Sequence, residues 1–352
     1  MSAHTARCQA TREALDLLPG SVFLTTHLAS VRYLTGFSGS NAMLVLTPER
    51  VIVATDGRYQ DQIAAEAPEV DAVITRSSVH DLIPHLTGQR VLLDDRSPTK
   101  VQEALSRHGP TVVPITDPVA SVRMVKDDDE LAAISRACAI TAQALGDIAD
   151  GVRIGDSEVD VARRLEARFG QLGAQDRAFP TIVASGPNSA VPHHRAGPRL
   201  LAAGDLLVID CGALVDGYHA DMTRTFIVGQ SPEEWQGAIH TAVSAAQAAA
   251  MEALESDCQG REIDAVARAV IDEAGFGGSF THGTGHGVGL EIHEYPMLTA
   301  DSAHRVPMRS VVTVEPGIYL PGRGGVRIED SVVVQDTVQV LTELPRALTR
   351  VG

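Results

Sequence analysis

The sequence predicts two domains of different class, an α/β domain over residues 1–122 and an α+β domain over residues 123–352. Three observations carry this. A chain of 352 residues exceeds one ordinary domain and suits two. Short β-type runs alternate with helical stretches through the first third, the pattern of a three-layer α/β domain. Beyond it, two pairs of helices recur with similar wording. Glu158-Val159-Asp160 and Glu262-Ile263-Asp264 open related helices 104 residues apart, and each helix pair leads into strands.

In the first domain the expected elements are a helix over 11–18 and a strand over 22–24. Strands over 42–46 and 51–54 follow, separated by the turn Thr47-Pro48-Glu49-Arg50, with a helix starting near Tyr59. Further strands are expected over 70–75, 90–93 and 111–114, with a helix over 98–108. Residues 118–129 form the join. The acidic run Asp127 to Glu130 marks a helix start, since carboxylates favour the positive end of the helix dipole. The helix pairs are expected over 130–150 and 157–172, then over 232–255 and 261–274.

Hydrophobic residues make up 44% of the chain and charged residues 21%, which indicates a globular protein. A net charge of -16 argues against nucleic acid or an anionic membrane as the main partner. No apolar run has the length of a membrane helix, and the N-terminus lacks the apolar core of a secretory signal. The cysteines Cys8, Cys138, Cys211 and Cys258 are scattered and read as reduced thiols, so a cytoplasmic protein is expected.

The chemistry is concentrated in the second domain. Leu206 to Ile209 form an apolar strand that ends in Asp210; Asp216-Gly217 is a turn signal, and a second strand runs through Thr223 to Val228. Asp210 and Asp221 stand six and five residues from Asp216, roughly opposite each other. Val311 to Val314 lead into Glu315, a dense turn follows at Pro321 to Gly325, and Val326 to Ile328 lead to Glu329. Glu315 and Glu329 are each seven residues from Gly322. Facing carboxylates repel, and a bound cation removes that cost. Between the hairpins lies HGTGHGVGLEIHE, with His282, His286 and His293 among glycines, read as a loop entering a strand over 288–293. Asp210, Asp221, His286, Glu315 and Glu329 thus make a set of four carboxylates and one imidazole. Four acids neutralise two divalent cations, and an oxygen-rich set without thiolate suits manganese, with cobalt, iron or zinc as alternatives.

Three segments, VIDCGALVDGYHADMTRTF, HGTGHGVGLEIHE and TVEPGIYLPGRGGVRIED, together resemble the pita-bread (M24-type) metallopeptidases, the family of methionine aminopeptidase, aminopeptidase P and prolidase. The resemblance implies an α/β creatinase-like N-terminal domain ahead of an α+β pita-bread catalytic domain. It further implies that Asp221 and Glu329 bridge two ions, that Asp210 holds one, and that His286 and Glu315 hold the other. The expected chemistry is attack on a peptide carbonyl by a hydroxide shared between the ions, with Glu315 as general base. By the same resemblance His293 faces the tetrahedral intermediate and His193 the substrate near its proline. His194 departs from the family, where glycine is common. Arg327 is expected either to orient the acidic residues or to make a structural ion pair, and His282 to line the site. Arg58 is read as a helix-start residue, with a substrate-carboxylate clamp as the functional alternative.

The creatinase-like domain points to proline-directed cleavage, since a prolyl nitrogen carries no hydrogen and needs a dedicated pocket. The expected substrate is a free Xaa-Pro dipeptide, as in prolidase, or a longer peptide, as in aminopeptidase P; chain length and motif wording favour the dipeptide. A homodimer is implied by the resemblance. A complete ligand set speaks against a metal-free hydrolase of guanidino compounds and against a non-catalytic binding module on the same fold.

Overall fold

The computed structural model describes residues 2–352. Chain contacts divide it into two units, one ending at Arg123 and one starting at Met124.

The first unit is built on a six-stranded mixed sheet. In spatial order its strands are Asp71–Ile74, Val51–Thr55, Met43–Leu46, Ser21–Thr25, Arg90–Asp94 and Thr111–Ile115. Ser21–Thr25 pairs antiparallel with Met43–Leu46 on one side and parallel with Arg90–Asp94 on the other. A core of Val22, Leu24, Val45, Ile52, Val91 and Leu93 packs against Leu82, Leu86, Val101 and Leu105 of the covering helices. The expected strands and the helix over 98–108 are present within a residue or two. The first helix differs from expectation. It runs Ala3–Ala14 rather than over 11–18, because Ser2 caps it by accepting a hydrogen bond from the backbone N of Thr5. Helices Leu28–Thr35 and Ser78–Leu86 add to the expected elements; both are short, and the second contains Pro84, which masks its helical pattern.

The second unit contains the duplicated halves. Helices Asp128–Gly151 and Glu158–Gln171 form one pair, Glu234–Ala253 and Gly260–Glu273 the other. The acidic start of the first helix is a capping box: Asp127 accepts from the Glu130 backbone N, and Glu130 accepts from the Asp127 backbone N. The first pair packs on a sheet of four strands in the order Thr349–Val351, Met222–Val228, Leu206–Cys211 and Ile182–Ser185. The second pair packs on a five-stranded sheet in the order Glu294–Leu298, Gly285–Gly287, Val311–Val314, Asp330–Val333 and Gln339–Val340. A bridge between Thr223 and Glu329 joins the two sheets.

Both hairpins form, and their registers fix which acids share a face. In the first, Cys211 pairs with Met222 and Asp210 with Thr223, around a turn in which Asp216 and Gly217 both have positive φ. Asp221 is therefore diagonal to Asp210 on the same face rather than directly opposite. In the second, Val311 to Val314 pair with Val333 to Asp330, and Gly317 to Leu320 with Arg327 to Gly324. Both stretches are centred on Gly322, so Glu315 and Glu329 fall opposite each other. Val288 to His293 is not the expected strand. The strands are Gly285–Gly287 and Glu294–Leu298, with a register irregularity after His286. Glycine is required there by close approach: a Cβ on Gly285 would meet the carbonyl of Thr313, and one on Gly287 the carbonyl of Tyr295.

Candidate metal centre

The two sheets bring their acid-bearing strand ends to one cavity of about 420 Å³. Asp210, Asp221, His286, Glu315, Glu329 and Arg327 line it, as do His193, His194, Arg195, His282 and His293. Phe179, Ile182, Ile292 and Met297 supply apolar wall.

Asp221, His286 and Glu329 form the tightest group, with one donor atom from each lying within 4.8 Å of the others. His286 Nε2 is 3.6 Å from Asp221 Oδ2 and 3.3 Å from Glu315 Oε1. Thr223 donates to Glu329 Oε2 at 2.6 Å, and Thr313 to Glu315 Oε1 at 3.3 Å. Arg327 is held on all sides: Nη2 donates to Asp210 Oδ2 at 2.6 Å, Nε to Thr223 at 3.0 Å, and Nη1 to the Tyr319 hydroxyl at 2.9 Å. His282 Nε2 lies 2.8 Å from the same hydroxyl. The His286 and His293 rings meet edge to face, 4.3 Å apart.

Electrostatics shows what this set lacks. Burial raises the pKa values of Asp210, Asp221 and Glu329, and mutual repulsion with neighbouring carboxylates raises Asp221 and Glu329 further. Burial also opposes ionisation of Glu315, but the hydrogen bond and charge of His286 hold it down at about 2. Partial burial and the nearby His286 press His293 down to about 4, so it is neutral near pH 7. Asp210 Oδ1 is buried with no hydrogen-bond partner among the described residues. Crowded acids, an imidazole facing them and an unsatisfied carboxylate oxygen are the donor set that divalent cations require. The residues present therefore fit such ions.

Three participants escaped the sequence reading. Tyr319 links His282 to Arg327; its only signal was its place four residues after Glu315. Thr223 ties Arg327 to Glu329, and its signal was two-residue spacing from Asp221. His219 Nδ1 lies 3.0 Å from the carbonyl of Gly289, anchoring the His293 loop. Arg58 lies in the first unit, where it donates to its neighbour Asp56 at 2.8 and 2.9 Å.

Residues 132–336 match metallopeptidase family M24, and residues 7–125 match the Creatinase/Prolidase N-terminal domain. The chain is 41% identical over 235 residues to the Xaa-Pro dipeptidase of Pyrococcus furiosus, covering 66% of this chain and 67% of that one. Among solved structures, an Xaa-Pro dipeptidase from Bacillus anthracis matches with a TM-score of 0.94 and 33% identity, over 99% of this chain and 100% of the other. An X-Pro aminopeptidase from Thermotoga maritima matches with a TM-score of 0.90 and 32% identity, over 98% and 99%. With its creatinase-like N-terminal domain and pita-bread second domain, this chain belongs to metallopeptidase family M24 and is a metal-dependent peptidase.

Proposed function

We propose that the protein is an exopeptidase that cleaves the bond between an N-terminal residue and proline, acting first on free Xaa-Pro dipeptides. The observation that carries this reading is the crowded Asp221–His286–Glu329 group inside a chain that aligns from end to end with an Xaa-Pro dipeptidase. Asp210, Asp221, His286, Glu315 and Glu329 would hold two divalent ions, with manganese suited to a set of carboxylates and one imidazole. When bound, such ions supply an acidified water and a Lewis acid for the scissile carbonyl.

The chain's own residues supply the rest. Glu315 is ionised across the neutral range and accepts the proton of the attacking water, later returning it to the prolyl nitrogen. That nitrogen has no hydrogen of its own and must gain one to leave. His293, neutral near pH 7, donates from one ring nitrogen to the oxygen that gains charge. His193 contacts the substrate on the proline side. Arg327 fixes the carboxylate of Asp210, and Thr223 fixes that of Glu329. A cytoplasmic setting accords with four free cysteines, and the homodimer implied by family resemblance is tested by sedimentation.

The aminopeptidase reading has its own support in the Thermotoga maritima match. The two are separated by manganese-activated hydrolysis of Ala-Pro and Ala-Pro-Ala, with Ala-Ala as control. Preference for Ala-Pro is expected. Preference for Ala-Pro-Ala makes the enzyme an aminopeptidase, and turnover of Ala-Ala alone overturns the proline reading.

A further inference from the structure

The loop that carries His193 is fastened by one buried carboxylate. Glu158 opens the helix Glu158–Gln171 and is fully buried. Its Oε1 accepts from the backbone N and Oγ of Ser185 at 2.8 and 2.7 Å, and from Asn188 Nδ2 at 2.9 Å. Its Oε2 accepts from His194 Nε2 at 2.8 Å and from the backbone N of Gly197 at 3.3 Å. His194, the departure from the family pattern, is thus one of two rivets of the loop.

Arg195 lies between those rivets. Its side chain is exposed, lines the metal-centre cavity, and has neither hydrogen bond nor ion pair among the described residues. The other guanidinium in the wall, Arg327, spends its donors on Asp210, Thr223 and Tyr319. The remaining charged groups of the cavity include four carboxylates. A dipeptide brings its own carboxylate within a few bonds of the scissile amide. Taken out of water in the cavity it needs a cation of its own, since the four wall carboxylates balance the two ions and leave no surplus positive charge, and a guanidinium matches a carboxylate with paired donors. A longer peptide has a neutral amide at that place.

Resting on the Xaa-Pro reading above, we propose that Arg195 receives the C-terminal carboxylate of a bound dipeptide and so sets the preference for Xaa-Pro over longer peptides. The His194–Glu158 clasp positions it. The cost of immobilising a long side chain is offset because the loop beneath it is already ordered.

The test compares wild type, Arg195→Ala and Arg195→Lys as full-length, manganese-loaded enzyme on Ala-Pro and on Ala-Pro amide, which differ only in the terminal charge. For Arg195→Ala the KM for Ala-Pro should rise roughly tenfold or more, the scale of a charge-assisted hydrogen bond. Its kcat, and both parameters for the amide, should stay within about twofold of wild type, since a lost ground-state contact acts on KM. Arg195→Lys should recover part of the KM. Equal shifts on both substrates, or no shift on either, overturn the role of Arg195 while leaving the Xaa-Pro reading intact. A wild-type enzyme that cleaves Ala-Pro amide but not Ala-Pro overturns the dipeptidase reading and Arg195's role with it.

Discussion

Glu315 and Asp221 sit in one cavity under opposite electrical demands. Glu315 stays ionised because His286 outweighs its burial, whereas burial and the charge of Glu329 push Asp221 toward its protonated form. The substitutions that remove these charges should therefore behave differently. Glu315→Gln loses the proton acceptor and a donor to the ions, and turnover on Ala-Pro should fall by on the order of 10²–10⁴. Steady-state kinetics on manganese-saturated protein checks this; a fall of less than about tenfold would remove Glu315 from the base role. Asp221→Asn removes one of several mutually repelling carboxylates, so the metal-free variant should melt no lower than metal-free wild type. It should nevertheless lose bound metal and turnover together, read by elemental analysis and by the same assay. Normal metal content in this variant would sink its assignment as a shared ligand.

The two helix pairs each lend one buried acid to a site-bearing segment. Glu158 holds Ser185 and the loop to His194, and Asp264 of the helix Gly260–Glu273 accepts from the backbone N and Oγ1 of Thr284, both at 3.0 Å. Thr284 precedes the strand that carries His286. Arg268, also bound to Asp264, donates onward to the carbonyl of His282. Asp264→Ala strands these buried donors and should cost about 3 kcal/mol. Thermal unfolding should show a lower midpoint, and manganese should bind more weakly because His286 loses its anchor; an unchanged midpoint would contradict the bracing. The sequence announced the helices that carry these acids, since their Glu-Val-Asp and Glu-Ile-Asp openings stand out as a repeat. It concealed their partners, because a contact between Asp264 and Thr284 has no spacing rule. The hairpins were legible for a local reason: Asp216-Gly217 and Gly322 fix a turn, and a turn fixes the register that pairs acids across it. The segment 288–293 misled because it turns back on itself, the Gly289 N–H reaching the Glu291 carbonyl where a Cβ on Gly289 would meet the Glu294 carboxylate, a tertiary need that overrides the β-like look of Val288 to His293. Arg195 was passed over because an exposed arginine carries no pattern until a cavity surrounds it.

Across the whole molecule, the acids of the metal centre couple folding to pH and to metal. Asp210, Asp221 and Glu329 have folded pKa values above those of the unfolded chain. The metal-free fold therefore binds more protons at these groups than the unfolded chain does. Their contribution to stability is fully present below the ordinary carboxylate range and is lost as pH rises through the raised values. Glu315 has the opposite sign: its contribution is present above its unfolded value and is lost only as pH falls toward about 2. Three groups outweigh one in the range above the ordinary carboxylate values. Bound divalent ions remove the repulsion and must displace protons to enter, so metal uptake strengthens as pH rises. The difference in melting temperature between manganese-loaded and chelated protein should accordingly widen from about pH 5 to about pH 8. Titration calorimetry in buffers of different ionisation enthalpy should show protons released on manganese binding, more of them at the lower pH. A gap that narrows with rising pH, or binding without proton release at the lower pH, would mean that these acids are already ionised in the metal-free protein. The crowding of Asp221 against Glu329 would then be relieved by something other than the ions.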